Sequence, residues 1–133
     1  MNTFKKKERL KSKKIINSLF TDGNSYVEYP YRILWGKFNF NSPFPAQFGI
    51  SVSKKKFKKA VDRNLIKRRT KEAYRKNKYI LYDFCRENGI KIAVMIVYIA
   101  NDIILYSEIE KKIILILKRL ICEIEKELQK TNI

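Results

Sequence analysis

The spacing of apolar positions changes several times along the chain, and each change marks an element. Between Ser12 and Phe20, the residues Ile15, Ile16, Leu19 and Phe20 recur at i, i+1, i+4 and i+5, one face of a short helix. Thr21-Asp22-Gly23-Asn24 ends it, with Gly23 expected in a left-handed cap. From Tyr26 to Phe40 the helical period disappears and aromatic and β-branched residues crowd together, which predicts strands broken near Pro30. Asn41-Ser42-Pro43 reads as a turn, with Ala46 to Ser53 as the hairpin partner of the strand before it. The stretch from about Lys58 to Lys76 holds no Gly or Pro and predicts a helix. Tyr79 to Glu87 suits a further short helix, and the near-continuous apolar run Ile92 to Ile99 suits a strand covered on both faces. Ser107-Glu108-Ile109-Glu110 has the serine and glutamate of a capping box. It precedes a stripe of Ile109, Ile113, Leu117, Leu120, Ile124 and Leu128 that belongs to a packed helix.

The elements follow the order αβββαβα, an α+β sandwich with helices on one face of a small, mostly antiparallel sheet. There is no repeat and no Pro/Gly/Ser-rich linker, so residues 1–133 are expected to form one RNA-binding domain, with Met1 to Lys11 as a basic arm. A hydrophobic fraction of 45% is enough for a packed core.

Charge changes the picture most. Thirty Lys and Arg stand against 13 acids, a formal net charge of +17. A folded domain so unbalanced repels itself until a polyanion neutralises it, which makes nucleic acid the expected partner. The chain has no histidine and two cysteines, Cys85 and Cys122. Ser-His-Asp and Cys-His catalysis, His-ligated metal sites, zinc knuckles and a disulfide scaffold are all excluded. The longest apolar run, Ile92 to Ala100, is less than half of what crosses a bilayer, and no signal core follows the charged N-terminus. A cytoplasmic protein with reduced cysteines, without a membrane or an obligate protein partner, is the simplest expectation.

The cations are not spread evenly. On a wheel of about 100° per residue, Arg63, Asn64, Lys67, Arg68, Lys71 and Arg75 fall on one arc, opposite an apolar arc holding Leu65, Ile66 and Ala73. Arg69 falls within the apolar arc and must pair or extend outward. Lys54, Lys55, Lys58 and Lys59 carry the same sign into the preceding loop. A solvated face is the usual fate of a charged helix side. Here, however, Asp62 and Glu72 are the segment's only acids, and like charges at i, i+4 oppose the helix unless phosphates relieve them. Aromatic residues add a second feature. Tyr26, Tyr29, Tyr31, Trp35, Phe38, Phe40, Phe44 and Phe48 crowd the strands, more than one sheet face can bury, so some offer rings for stacking on single-stranded nucleic acid.

These segments together carry a resemblance. Gly49-Ile50-Ser51-Val52-Ser53-Lys54-Lys55, Ala60-Val61 and Arg63-Asn64-Leu65-Ile66-Lys67-Arg68 strongly resemble the protein component of bacterial ribonuclease P. Its signature is an Arg-Asn-Arg-type helix after a Gly-[Leu/Ile]-Ser-Val-type strand. Glu8-Arg9-Leu10, the first helix ending near Phe20, the buried strand before the last helix and the total length agree with it. The chain departs from the pattern at Leu65, where the motif has a cation, and at Ile16 and Leu34, where family members often carry rings.

The resemblance implies a single α+β domain with a left-handed βαβ crossover. It also implies a subunit of a ribonucleoprotein that removes the 5′ leader from precursor tRNA. In such an enzyme the RNA subunit with Mg²⁺ performs the hydrolysis, while the protein binds that RNA and holds the leader. Arg63, Asn64, Lys67 and Arg68 then correspond to the RNA-facing helix, and Lys13, Ile16, Phe20, Ser51 and Ser53 to a leader cleft between first helix and sheet. The residues agree that the protein is not itself the catalyst. The 13 acids form no Asp-x-Asp or carboxylate cluster of the kind a two-metal nuclease needs. A structural RNA-binding module, such as a ribosomal protein without a catalytic role, would explain the charge but not the joint strand-and-helix motif.

Overall fold

A computed structural model describes residues 3–131, so the first two residues of the expected arm lie outside the described part. A 3₁₀ turn, Lys6–Glu8, leads to α1 (Lys13–Asp22), β1 (Asn24–Glu28), β2 (Tyr31–Lys37) and β3 (Ala46–Val52). α2 (Ala60–Asn77), α3 (Tyr79–Asn88), β4 (Ile92–Tyr98) and α4 (Tyr106–Thr131) follow. The α+β class holds, and the short helix at Tyr79 is present as α3, giving the order αβββααβα.

The strands lie in the order β1-β2-β4-β3, with β3 parallel to β4 and the other pairings antiparallel. The expected hairpin between β2 and β3 therefore does not form. β4 sits between them because six of its seven residues are buried, and only a central strand has both faces and both edges covered. The true hairpin is β1–β2, closed by Tyr29-Pro30 with a cis peptide bond. Residues 38–45 instead cross from one side of β4 to the other. Lys91 Nζ ties this connection down, donating to the carbonyls of Phe40 (2.8 Å) and Ser42 (3.1 Å).

Helices cover both faces of the sheet, not one. Strand alternation sends Tyr31, Ile33, Trp35, Val94, Ile96 and Tyr98 to one side, where Ile66 and Tyr74 of α2 and Ile109, Ile113 and Leu120 of α4 meet them. The intervening residues Leu34, Ala93 and Met95 need cover on the other side, and Leu10 with Leu19 of α1 supplies it. Three buried hydroxyls on the α2–α4 side are paired. The hydroxyls of Tyr31 and Thr70 lie 2.6 Å apart, and Tyr26 Oη donates to the Ile116 carbonyl at 2.9 Å. Arg69, placed by the wheel on the apolar arc, donates to the Ile104 carbonyl at 2.8 Å.

Two termini differ from expectation. Gly23 ends α1 with extended dihedrals (φ −72°, ψ 157°) rather than left-handed ones. Glycine fits there because a Cβ would lie 2.4 Å from the Leu19 carbonyl oxygen. The left-handed cap belongs to Gly89 (φ 62°), after α3. α4 starts at Tyr106, so Ser107 lies inside the first turn, and the Leu105 carbonyl accepts from the N–H groups of Glu108 and Ile109.

Candidate nucleic-acid interface

The basic helix is held in place from below. Ile66, Thr70, Ala73 and Tyr74 are the buried residues of α2, a stripe at i, i+4, i+7 and i+8 that turns the opposite face outward. On that outer face Asn64, Lys67, Arg68, Lys71 and Arg75 line one groove of about 360 Å³, together with Phe4 and Glu72. Arg75 forms a fork with Glu72, at 2.9 and 2.6 Å, which holds the half-buried Glu72 carboxyl below its usual range. Arg63 turns toward the N-terminal end of the helix, and its Nη1 donates to the carbonyls of Phe57 (2.7 Å) and Lys58 (3.0 Å).

The lysine loop before α2 is shaped by two residues. Ser53 Oγ accepts from the N–H groups of Lys55 (3.1 Å) and Lys56 (3.4 Å), a side-chain turn that starts the loop. Phe57 is buried against Tyr98, with ring centroids 5.9 Å apart. Between and after these anchors Lys54, Lys55, Lys58 and Lys59 all stand exposed. Ser53 thus has a local structural task in addition to any contact with a ligand.

A second cavity, of about 380 Å³, lies between the arm, the start of α1, β3 and α2. It exists because α1 covers β2 and β4 but leaves the same face of β3 open. Gly49 keeps that floor low, since a Cβ would come within 2.8 Å of the Met95 methyl group. Ile16, Leu10, Phe48, Gly49, Ile50 and Met95 give the cavity an apolar lining, and Arg9, Lys11, Lys67 and Lys71 give it a cationic rim. Partial burial lowers the Lys71 pKa, and the charges of Arg9 and Lys67 lower it further. Three cations therefore converge where an anion would relieve them. Lys67, Lys71 and Phe4 line both this cleft and the α2 groove, so the two form one continuous surface.

Of the cleft residues expected from sequence, Ile16 lines the cavity. Phe20 lies one helical turn beyond it and is 48% exposed. Lys13 is exposed at the start of α1, and Ser51 is half-buried on β3, in register with Val97 of β4. Leu34, where a ring would match the family pattern, is buried beneath α1 and faces no ligand.

Sequence reasoning missed how the arm is held. Arg9 bridges to Phe48 at the free edge of β3, and the Leu10 N–H donates to the Phe48 carbonyl at 3.0 Å. Phe4 sets its edge on Phe48 and Tyr74, whose rings stack 3.9 Å apart, and the Arg9 guanidinium lies over the Phe4 ring. Glu8 is fully buried and binds Lys78, the Tyr82 hydroxyl (2.6 Å) and the Lys5 N–H (2.6 Å). Burial alone would raise its pKa, but these donors outweigh burial and hold the carboxyl below its usual range. The available signal was a single acid in Lys5-Lys6-Lys7-Glu8-Arg9.

Among the described residues, no three His, Cys, Asp or Glu approach closely enough to hold a metal ion. None of their helices is long and apolar enough to cross a membrane.

Comparison with known proteins extends this picture. The protein component of ribonuclease P from Porphyromonas gingivalis is 32% identical over 106 residues, covering 80% of this chain and 77% of that protein. That of Chlorobium phaeobacteroides is 33% identical over 110 residues, covering 76% and 75%. Among solved structures, the ribonuclease P protein of Thermotoga maritima superposes with a TM-score of 0.66 at 23% identity, covering 84% of this chain and 96% of that one. That of Staphylococcus aureus gives 0.61 at 21%, covering 85% and 94%. The sequence model of the Ribonuclease P family matches residues 4–121, from the ring that the arm lays against Phe48 into the second half of α4. The arm from Phe4 onward, the cleft and the basic helix fall inside that match, and the chain belongs to the ribonuclease P protein family, the protein subunits of a ribonucleoprotein endoribonuclease.

Proposed function

We propose that the two connected surfaces divide the work of a ribonuclease P subunit. The α2 groove and the lysine loop hold phosphates of ribonuclease P RNA through Asn64, Lys67, Arg68, Lys71 and Arg75, with Lys54, Lys55, Lys58 and Lys59 beside them. Arg63 stiffens the junction of loop and helix and presents its remaining guanidinium donors there. The cleft takes the single-stranded 5′ leader of precursor tRNA, with Ile16 and Phe20 against bases and Lys13, Ser51 and Ser53 at its rim. Mg²⁺ is held by the RNA, where the hydrolysis takes place. The setting is the cytoplasm, and no further protein partner is needed.

The observation that carries this reading is the cleft itself, where an apolar floor one strand wide meets Arg9, Lys67 and Lys71. A flat duplex needs cations alone, whereas an unpaired strand also offers its base faces. The test is reconstitution with a bacterial ribonuclease P RNA. The protein should permit cleavage at the leader junction at Mg²⁺ concentrations where the RNA alone is slow, and the protein alone should cleave nothing. Cleavage at that junction by rigorously RNA-free protein, or no gain on mixing, would contradict it.

A further inference from the structure

A third cavity, of about 520 Å³, opens on the other side of the arm from the leader cleft. Its size lies within the roughly 300–1,000 Å³ common for ligand sites. One face of α3 lines it through Tyr79, Tyr82, Asp83 and Arg86, at i, i+3, i+4 and i+7. Thr3 and Lys5 come from the arm, Phe44 from the β2–β3 connection, and Lys78 from the junction of α2 and α3. The charge of Lys78 is answered by Glu8, which leaves Lys5 and Arg86 facing the single acid Asp83.

The rings are placed in a graded way. Tyr82 is buried and packs near Phe44, with centroids 6.3 Å apart. The Arg86 guanidinium lies 5.6 Å from the Tyr82 ring. Tyr79, at the open end, is 57% exposed. An exposed ring beside a surplus of positive charge is well suited to a base and its flanking phosphates. The arm lies between this cavity and the leader cleft: Phe4 lines the cleft while Thr3 and Lys5 line the cavity.

We infer that this cavity binds a second segment of single-stranded RNA, with a base against Tyr79 and phosphates against Lys5 and Arg86. The inference extends the proposed function, because a strand leaving the cleft over Phe4 enters the cavity next. An unpaired loop of the catalytic RNA carries the same chemistry. A protein partner is disfavoured by the surplus of cations, which suits polyanions.

The experiment compares Tyr79→Ala, Tyr79→Phe and Arg86→Ala with the unaltered protein. It uses the assembled ribonucleoprotein and precursors with a short or a long leader. Because Tyr79 and Arg86 are exposed, melting temperatures should not change. Tyr79→Ala should weaken binding by about fivefold or more, the lower end for losing one stacked base, and Tyr79→Phe should restore it. Arg86→Ala should reduce the log–log salt slope by about one. A loss confined to the long-leader precursor identifies the strand as leader. A loss in affinity for ribonuclease P RNA, independent of leader length, identifies it as the catalytic RNA. Unchanged binding in both arms overturns the site. Failure of the cleft reading gives a different result: Phe20→Ala without effect on precursor while Tyr79→Ala still weakens binding.

Discussion

Leu19 and Phe20 are neighbours in sequence and opposites in environment. Leu19 is 1% exposed and fills the space between α1 and the sheet. Truncating it to Ala should cost about 2–5 kcal/mol, measured by denaturant unfolding. Phe20, nearly half exposed, should cost little on the same measurement, so any effect of Phe20→Ala on RNA binding reports contact rather than folding. Glu8 is a third kind of residue, buried and charged. Its folded-state pKa lies below its ordinary value near 4.3, so the stability it contributes is complete above that value. That stability is lost as pH falls through the lowered folded-state pKa. Glu8→Gln should therefore lower the melting temperature at pH 7 and flatten the acid limb of the stability curve below about pH 5. An unchanged acid limb would mean that the Glu8–Lys78–Tyr82 cluster does not anchor the arm.

At the scale of elements, α2 was legible because a helix wheel needs only local order. Ile66 and Ala73 are buried and most of the cationic arc is outward, as the period predicts, whereas Leu65 is only half-buried and Tyr74, outside the expected apolar arc, is buried in its stead. A salt titration checks its role. Arg68→Ala should weaken assembly with ribonuclease P RNA and reduce the log–log salt slope by roughly one, since each phosphate contact contributes about −0.9. β4 was legible as a doubly buried strand, yet its neighbours were not, because β3 pairs with it in parallel across 39 residues of intervening helix and loop (residues 53–91). Local pattern cannot see that pairing, and it suggested a β2–β3 hairpin. The cleft was invisible for the same reason. It depends on Arg9 meeting Phe48, on Gly49 sparing Met95, and on α1 stopping short of β3, none of which is written in a periodicity.

For the whole molecule, +17 sets the balance between folding and partners. Self-repulsion opposes the compact state, and anions that bind the folded form should relieve it by mass action. Sulfate should raise the melting temperature above that in chloride at equal ionic strength; identical curves would rule out specific anion sites. The central claim is that one continuous surface performs two separable tasks, and one set of affinities tests it most directly. For Arg68→Ala and Phe20→Ala, the affinity for ribonuclease P RNA and the precursor-to-mature tRNA affinity ratio are measured on the assembled enzyme. Arg68→Ala should lose RNA affinity and keep the ratio. Phe20→Ala should keep RNA affinity and lose ratio by the roughly 1–3 kcal/mol that a stacked base supplies. The same pattern of losses in both variants would contradict the account.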